Sequence, residues 1–209
     1  MRRKIKIWMY IVSICITTIG GLFFCNHYIN NVKKNSDTKK EEEIVKIIRA
    51  TYRYNVNNLS NIVADADYVF VAKVDRVVNT VYRNPVRRED MWISRPYTKY
   101  KLNICSNIKG KLNTKKNVTI YKAGGKEKNS NVKCIYDKDR LPSKGKYYVF
   151  MAYVQKDGSL LVSGANSTLA LGKNYKTSEN YKKVILAYKN RRSMNRVRYS
   201  IKSKKVYSP

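Results

Sequence analysis

The longest apolar run lies at the start of the chain. Residues 7–25, nineteen positions, carry no charge. At about 1.5 Å of rise per residue, a helix of that length reaches about 28 Å, close to the hydrocarbon thickness of a bilayer. Arg2, Arg3, Lys4 and Lys6 form a basic head over residues 1–6. The run leaves through Phe23-Phe24-Cys25-Asn26, with bulky rings where signal cleavage requires small side chains. The expectation is one uncleaved transmembrane helix over residues 7–27, with a cleaved signal or a lipoprotein modified at Cys25 as alternatives. Four basic residues precede the span and four follow it (Lys33, Lys34, Lys39, Lys40). The upstream charges abut the span and are joined by the α-amino group, which sets the N-terminus inside and the remainder outside the cytoplasm.

Residues 28–58 read as a connector and an amphipathic stalk helix. Thr38 and Glu41 make a capping box, and Ile44, Ile47, Ile48 and Tyr52 fall at helical spacing. A helical turn follows over residues 59–65. Tyr68 to Val74 is rich in β-formers and predicts a strand reaching Val81, while residues 83–96, with two prolines and mixed charge, read as a long loop. Tyr100, Leu102 and Ile104 alternate with Lys101 and Asn103, the period of a half-buried strand. Residues 118–121 form the next strand and residues 123–145 a second long loop. A hairpin follows, residues 146–155 and 160–163 joined at Asp157-Gly158, with an edge strand at 168–171. Thr177 or Ser178 caps a last helix whose stripe is Tyr181, Val184, Ile185 and Tyr188. The folded domain is thus expected over residues 59–192, with a basic tail over 193–209. About five strands, helices at both ends and no βαβ rhythm predict a mainly β (α+β) fold, a small five-stranded antiparallel barrel with flanking helices.

Composition narrows the chemistry. The chain of 209 residues carries a formal charge of +30, yet 43% of it is hydrophobic and 18 residues are Tyr. That is enough to build a core, and the charge favours polyanions or an anionic membrane surface as partners. The single histidine, His27, stands beside the span, which argues against Ser–His and Cys–His catalysis. Ala123-Gly124-Gly125-Lys126 lacks the first Gly and the trailing Ser/Thr of a phosphate-binding loop. Asp137 and Asp139 read as a solvated acidic loop beside lysines, and Asp65 and Asp67 as turn or cap residues at a helix–strand junction. No metal, cofactor or catalytic constellation is assigned.

Cys105 and Cys134 are the two thiols of the outer domain. They form one disulfide if the domain faces an oxidising space, a free or buried thiol being the alternative. The C-terminal end of the helix and the tail carry Arg191, Arg192, Arg196, Arg198, Lys202, Lys204 and Lys205, with no acid from Lys182 onward. It reads either as a solvated extension or as a contact for anionic lipid, wall polymer or nucleic acid, with Tyr199 and Tyr207 interleaved. Nucleic acid falls away as a partner if the domain is extracytoplasmic.

The stretches Ala66 to Val74, Tyr100 to Gly110, Lys146 to Phe150 and Asp157 to Leu160 resemble the netrin-like module. That module is the OB-type barrel of the tissue inhibitors of metalloproteinases. They are also similar to membrane-anchored proteins of Gram-positive bacteria. The resemblance covers residues 59–172 and implies a five-stranded barrel used for protein–protein contact. Those inhibitors chelate a protease's zinc through an N-terminal Cys-x-Cys. No Cys occurs here between His27 and Ile104, so that mechanism is not carried over. The reading is a single-pass membrane protein presenting a non-catalytic OB-like binding module outside the cell, its partner a surface protein or an anionic polymer; the alternative is a polyanion binder acting through its basic tail.

Overall fold

Alternation along five strands closes a ring. The computed structural model describes residues 44–52, 54–88 and 91–201, and within them the elements run as follows. Strand β1 (Ile44–Ile48) is followed by helix α1 (Leu59–Asp65), β2 (Tyr68–Arg88), β3 (Met91–Lys109) and β4 (Val118–Ala123). Then come β5 (Gly125–Lys126), β6 (Val132–Tyr136), β7 (Tyr147–Val154), β8 (Leu160–Val162) and β9 (Thr168–Leu171), a 3-10 turn (Tyr175–Thr177) and helix α2 (Glu179–Lys189). One sheet has the order β2-β3-β4-β8-β7-β9, and an additional β2–β7 pairing closes five of its strands into a ring. All ring pairings are antiparallel except β4–β8, which is parallel. The expected five-stranded barrel-like ring is therefore present, with the correction that it is not wholly antiparallel. The third and fifth ring strands run in the same direction because a hairpin (β7–β8), rather than a single strand, fills the remaining gap.

The interior follows the period-2 rule. Phe70, Ala72 and Val74 of β2 meet Tyr100, Leu102 and Ile104 of β3, Ile120 of β4, Phe150 and Ala152 of β7 and Leu160 and Val162 of β8 in one buried cluster. Phe70 and Phe150 stack at 5.7 Å between ring centroids. The alternate residues Val69, Val71, Val149 and Met151 point outward, yet are also buried. They pack under Ile62 and Val63 of α1 and Val184 and Ala187 of α2. This explains why β2 and β7 read as continuous apolar runs: both of their faces are covered. Asn58 caps α1, its side chain accepting from the Ser60 amide, and Ser178 stands at the N-cap of α2.

Three regions depart from the expected elements. Ile44–Ile48 is a strand, not part of a stalk helix: β1 pairs in parallel with β6, which pairs with β5, in a separate three-stranded sheet. Four of its five residues are Ile or Val, whose branched side chains favour extended backbone. Ile48 and the barrel's Val81, Tyr97 and Ala123 share a cluster with Tyr136 of β6. Residues 83–96 are likewise not a loop, because β2 and β3 continue as a two-stranded ribbon to Arg88 and Met91. The register shifts between Arg83 and Val86, so Pro85 falls at an irregularity that needs no amide donor. The expected loop over 123–145 holds β5 and β6. At its start Gly124 and Gly125 adopt φ of 107° and 144°, and a Cβ on Gly125 would lie 2.7 Å from Thr98 Oγ1. The glycines let the chain leave the barrel sheet. The transmembrane segment expected over residues 7–27, its basic head and the capping box expected at Thr38 lie outside the described residues.

Candidate functional site: a cationic, aromatic cleft on the barrel

The helices cover one flank of the ring; another stays open. Along β3 and β4 the residues opposite the core-facing set are Lys99, Lys101, Thr119 and Tyr121, and a cleft of about 1100 Å³ opens here. Lys99, Thr119 and Tyr121 form its floor. Lys111 and Asn113 after β3 line one side, and Asp157, Gly158 and Ser159 of the β7–β8 turn line another. Gly158 holds φ of 76°, the left-handed conformation that this turn requires.

Arg83 organises one end of the cleft. Reaching in from the long β2 arm, its guanidinium carbon lies 4.2 Å from the centroid of the Tyr121 ring. It also donates at 2.8 Å to Asp157 Oδ2 and at 3.3 Å to Ser159 Oγ. Lys99 Nζ stands 5.9 Å from the same ring. Tyr121 is thus flanked by two cations, at distances where the ring quadrupole attracts positive charge. The Ser159 hydroxyl and amide, with Arg83, hold the Asp157 carboxyl below its usual range. The arrangement offers fixed positive charge and an aromatic face. Arg83 and Asp157 also border a second cleft of about 560 Å³, lined on its far side by Asp65, Tyr153 and Arg196.

The basic tail is placed differently from its sequence reading. Arg196 and Arg198 do not project into solvent. Arg196 pairs with Asp65 at 3.2 Å and with Asp67 at 2.6 Å, and Arg198 pairs with Asp67 at 2.6 Å. Both guanidinium groups also donate to the Asp65 carbonyl at the end of α1. Asp65 and Asp67, read as turn residues, are nearly buried anchors for the C-terminal segment. Arg191 lies over the Tyr188 ring at 3.7 Å and bonds the Tyr188 carbonyl. Arg192 is exposed, and Lys202, Lys204 and Lys205 lie outside the described residues.

Cys105 and Cys134 are free thiols, and the disulfide is not formed. They sit in different sheets. Cys105 is exposed on the outer face of β3, whereas Cys134 is buried on β6 and donates to Glu127 Oε1 at 3.0 Å. Burial, and then the Glu127 carboxylate, push the Cys134 thiol up to about 11, which leaves it protonated and unreactive.

Asp139 corrects the reading of a solvated acidic loop. It is buried, 1% exposed, against the amine of Lys122, itself 0% exposed. Neither this pair nor the Arg83–Tyr121 contact was singled out in the sequence. The available signal was a lysine on the core-facing side of a strand whose neighbours are Val118 and Ile120. No protein-family model matches the chain, and no curated protein matches it.

Proposed function

We propose that this chain is a membrane-anchored, extracytoplasmic, OB-like barrel that acts as a non-catalytic binding module, and that its cleft takes an anionic polymer. The anchor over residues 7–27, with the N-terminus inside, supports the location. The ring order and its one parallel pair support the OB-like reading and the resemblance to the netrin-like module. OB-type barrels use the face of their second and third strands, with adjoining turns, to bind chain-like ligands. In this chain those strands are β3 and β4.

The observation that carries the reading is the Tyr121 ring on the open face, with Arg83 and Lys99 both near it. Asp157 balances Arg83, so Lys99 and Lys111 supply the net charge of the cleft. In this reading the contact lies on the barrel rather than at Arg196 and Arg198, which are engaged with Asp65 and Asp67.

The test is binding of labelled polyphosphate and of single-stranded DNA to the full chain in detergent, at two salt concentrations. Charge alone serves the first probe; the second adds bases that stack on Tyr121. Lys99→Ala with Lys111→Ala is expected to weaken both probes and to lower the salt slope by about 1.4, about 0.7 for each lost phosphate contact. Tyr121→Ala is expected to cost about 1–3 kcal/mol with DNA only. Unchanged affinity in the double variant rejects the cleft as the site.

A further inference from the structure

Lys122 is the least expected residue in the core. It lies on the barrel-facing side of β4, and its amine contacts one carboxyl oxygen of Asp139, which follows β6. Both side chains are sealed from solvent. The amine also donates to Ser167 Oγ at 2.9 Å, and that hydroxyl lies 3.5 Å from the same Asp139 oxygen. Asp139 Oδ1 is buried and has no hydrogen-bond partner among the described residues. Ser167 is itself fully buried. A Lys–Asp pair in such a place is a poor stabilising device, because two desolvated ions must recover their lost hydration from a few contacts and one carboxyl oxygen here has no hydrogen-bond partner.

We propose that Lys122 and Asp139 are joined by an amide bond between their side chains, formed by the folded chain itself. The amine nitrogen attacks Cγ of the carboxylic acid. The N–C bond forms, one C–O bond breaks, and the departing hydroxyl takes a proton from the amine and leaves as water. A neutral amine and a neutral acid give an amide and water, with no oxidant, reductant or cofactor. Burial favours both neutral reactants: it pushes the Lys122 amine down and the Asp139 carboxyl up. Fixing the two groups in contact replaces a bimolecular encounter, an advantage that in well-oriented systems reaches effective concentrations of about 10⁵–10⁸ M. The dry surroundings deny the product the water needed for its return. The bond would tie β4 of the barrel to the turn after β6. It would thus fasten the three-stranded sheet to the ring, a role that the two free thiols do not fill.

The test is mass spectrometry of the full chain purified in detergent and denatured before measurement. The expected mass is that of the sequence less one water. Proteolysis should release a branched peptide joining the segment around Lys122 to that around Asp139. The variants Lys122→Met and Asp139→Ala should each show the full mass of their own sequence and no branched peptide. A wild-type chain at full mass overturns the proposal, and that measurement does not depend on whether either variant folds. A loss of water mapped elsewhere, such as a cyclised Asp157-Gly158, overturns it equally.

Discussion

Lys109 shows how neighbouring charges set the behaviour of one residue. It ends β3, and its amine donates to the carbonyls of Val63 and Ala64 at 2.9 and 2.7 Å, satisfying groups near the end of α1. Arg196 and Arg198 converge on the same helix end. Burial, and then the positive charges of Arg198 and Arg191, push the Lys109 amine down to about 8, with Asp67 opposing. The unfolded chain keeps that proton to about pH 10.4. Above about pH 8 the unfolded state therefore binds more protons than the fold, and Lys109 makes stability rise with pH; below pH 8 its full penalty is present. Cys134 acts in the opposite sense above about pH 9, since its folded value of about 11 keeps a proton that the unfolded thiol releases. Urea titrations at pH 7, 8 and 9 should show stability gained toward pH 9 in the wild type and a flatter profile in Lys109→Met. An identical profile in the variant would remove Lys109 from the account. None of this was legible in the sequence, where Lys109 is one lysine among many before a glycine; its partners are supplied by segments about 45 and 90 residues away.

At the scale of elements, strands with one wet face were readable and strands with unusual surroundings were not. Tyr100, Leu102 and Ile104 alternate with polar residues, so β3 was evident in its barrel half. Its outer half, with that of β2, is a ribbon whose exposed Val77, Val78 and Tyr82 keep no single apolar face, and period-2 logic has nothing to detect there. The strand β1 was misread for a related reason. Ile44, Val45 and Ile47 are exposed and Ile48 alone meets the cluster around Tyr136, so burial imposes no alternation and the 3/4 spacing stood out by default. The two assignments differ in a measurable way. As an edge strand paired, among the described residues, with β6 alone, β1 turns every second amide toward its partner and the rest toward solvent. Hydrogen exchange resolved by residue should show alternating protection across Ile44–Ile48. Uniform protection of successive amides would restore the helix.

For the molecule as a whole, the charge that dominates the composition divides into two populations. Lys99 and Lys111 look outward on the open face, whereas Arg196 and Arg198 are turned inward and fasten the C-terminal segment across the junction of α1 and β2. A composition count cannot separate these populations, because both are lysines and arginines in polar stretches. What distinguishes them is two acids, Asp65 and Asp67, that lie more than 125 residues earlier. Asp67 is 6% exposed and also accepts the Val154 amide at 2.8 Å, so it ties β7 to the same point. Removing the arginines would leave that carboxylate buried without its cations, which generally costs about 3–5 kcal/mol, whereas pairs at an open surface are worth about 1 kcal/mol or less. The double variant Arg196→Ala with Arg198→Ala should therefore lower the urea midpoint by an amount in the larger range, with the slope unchanged if the same core unfolds. Without two nearby cations the Lys109 amine should also titrate higher, moving the start of its pH dependence upward. A destabilisation under about 1 kcal/mol would show that the segment only rests on the surface, and would return Arg196 and Arg198 to the pool of outward-facing charge.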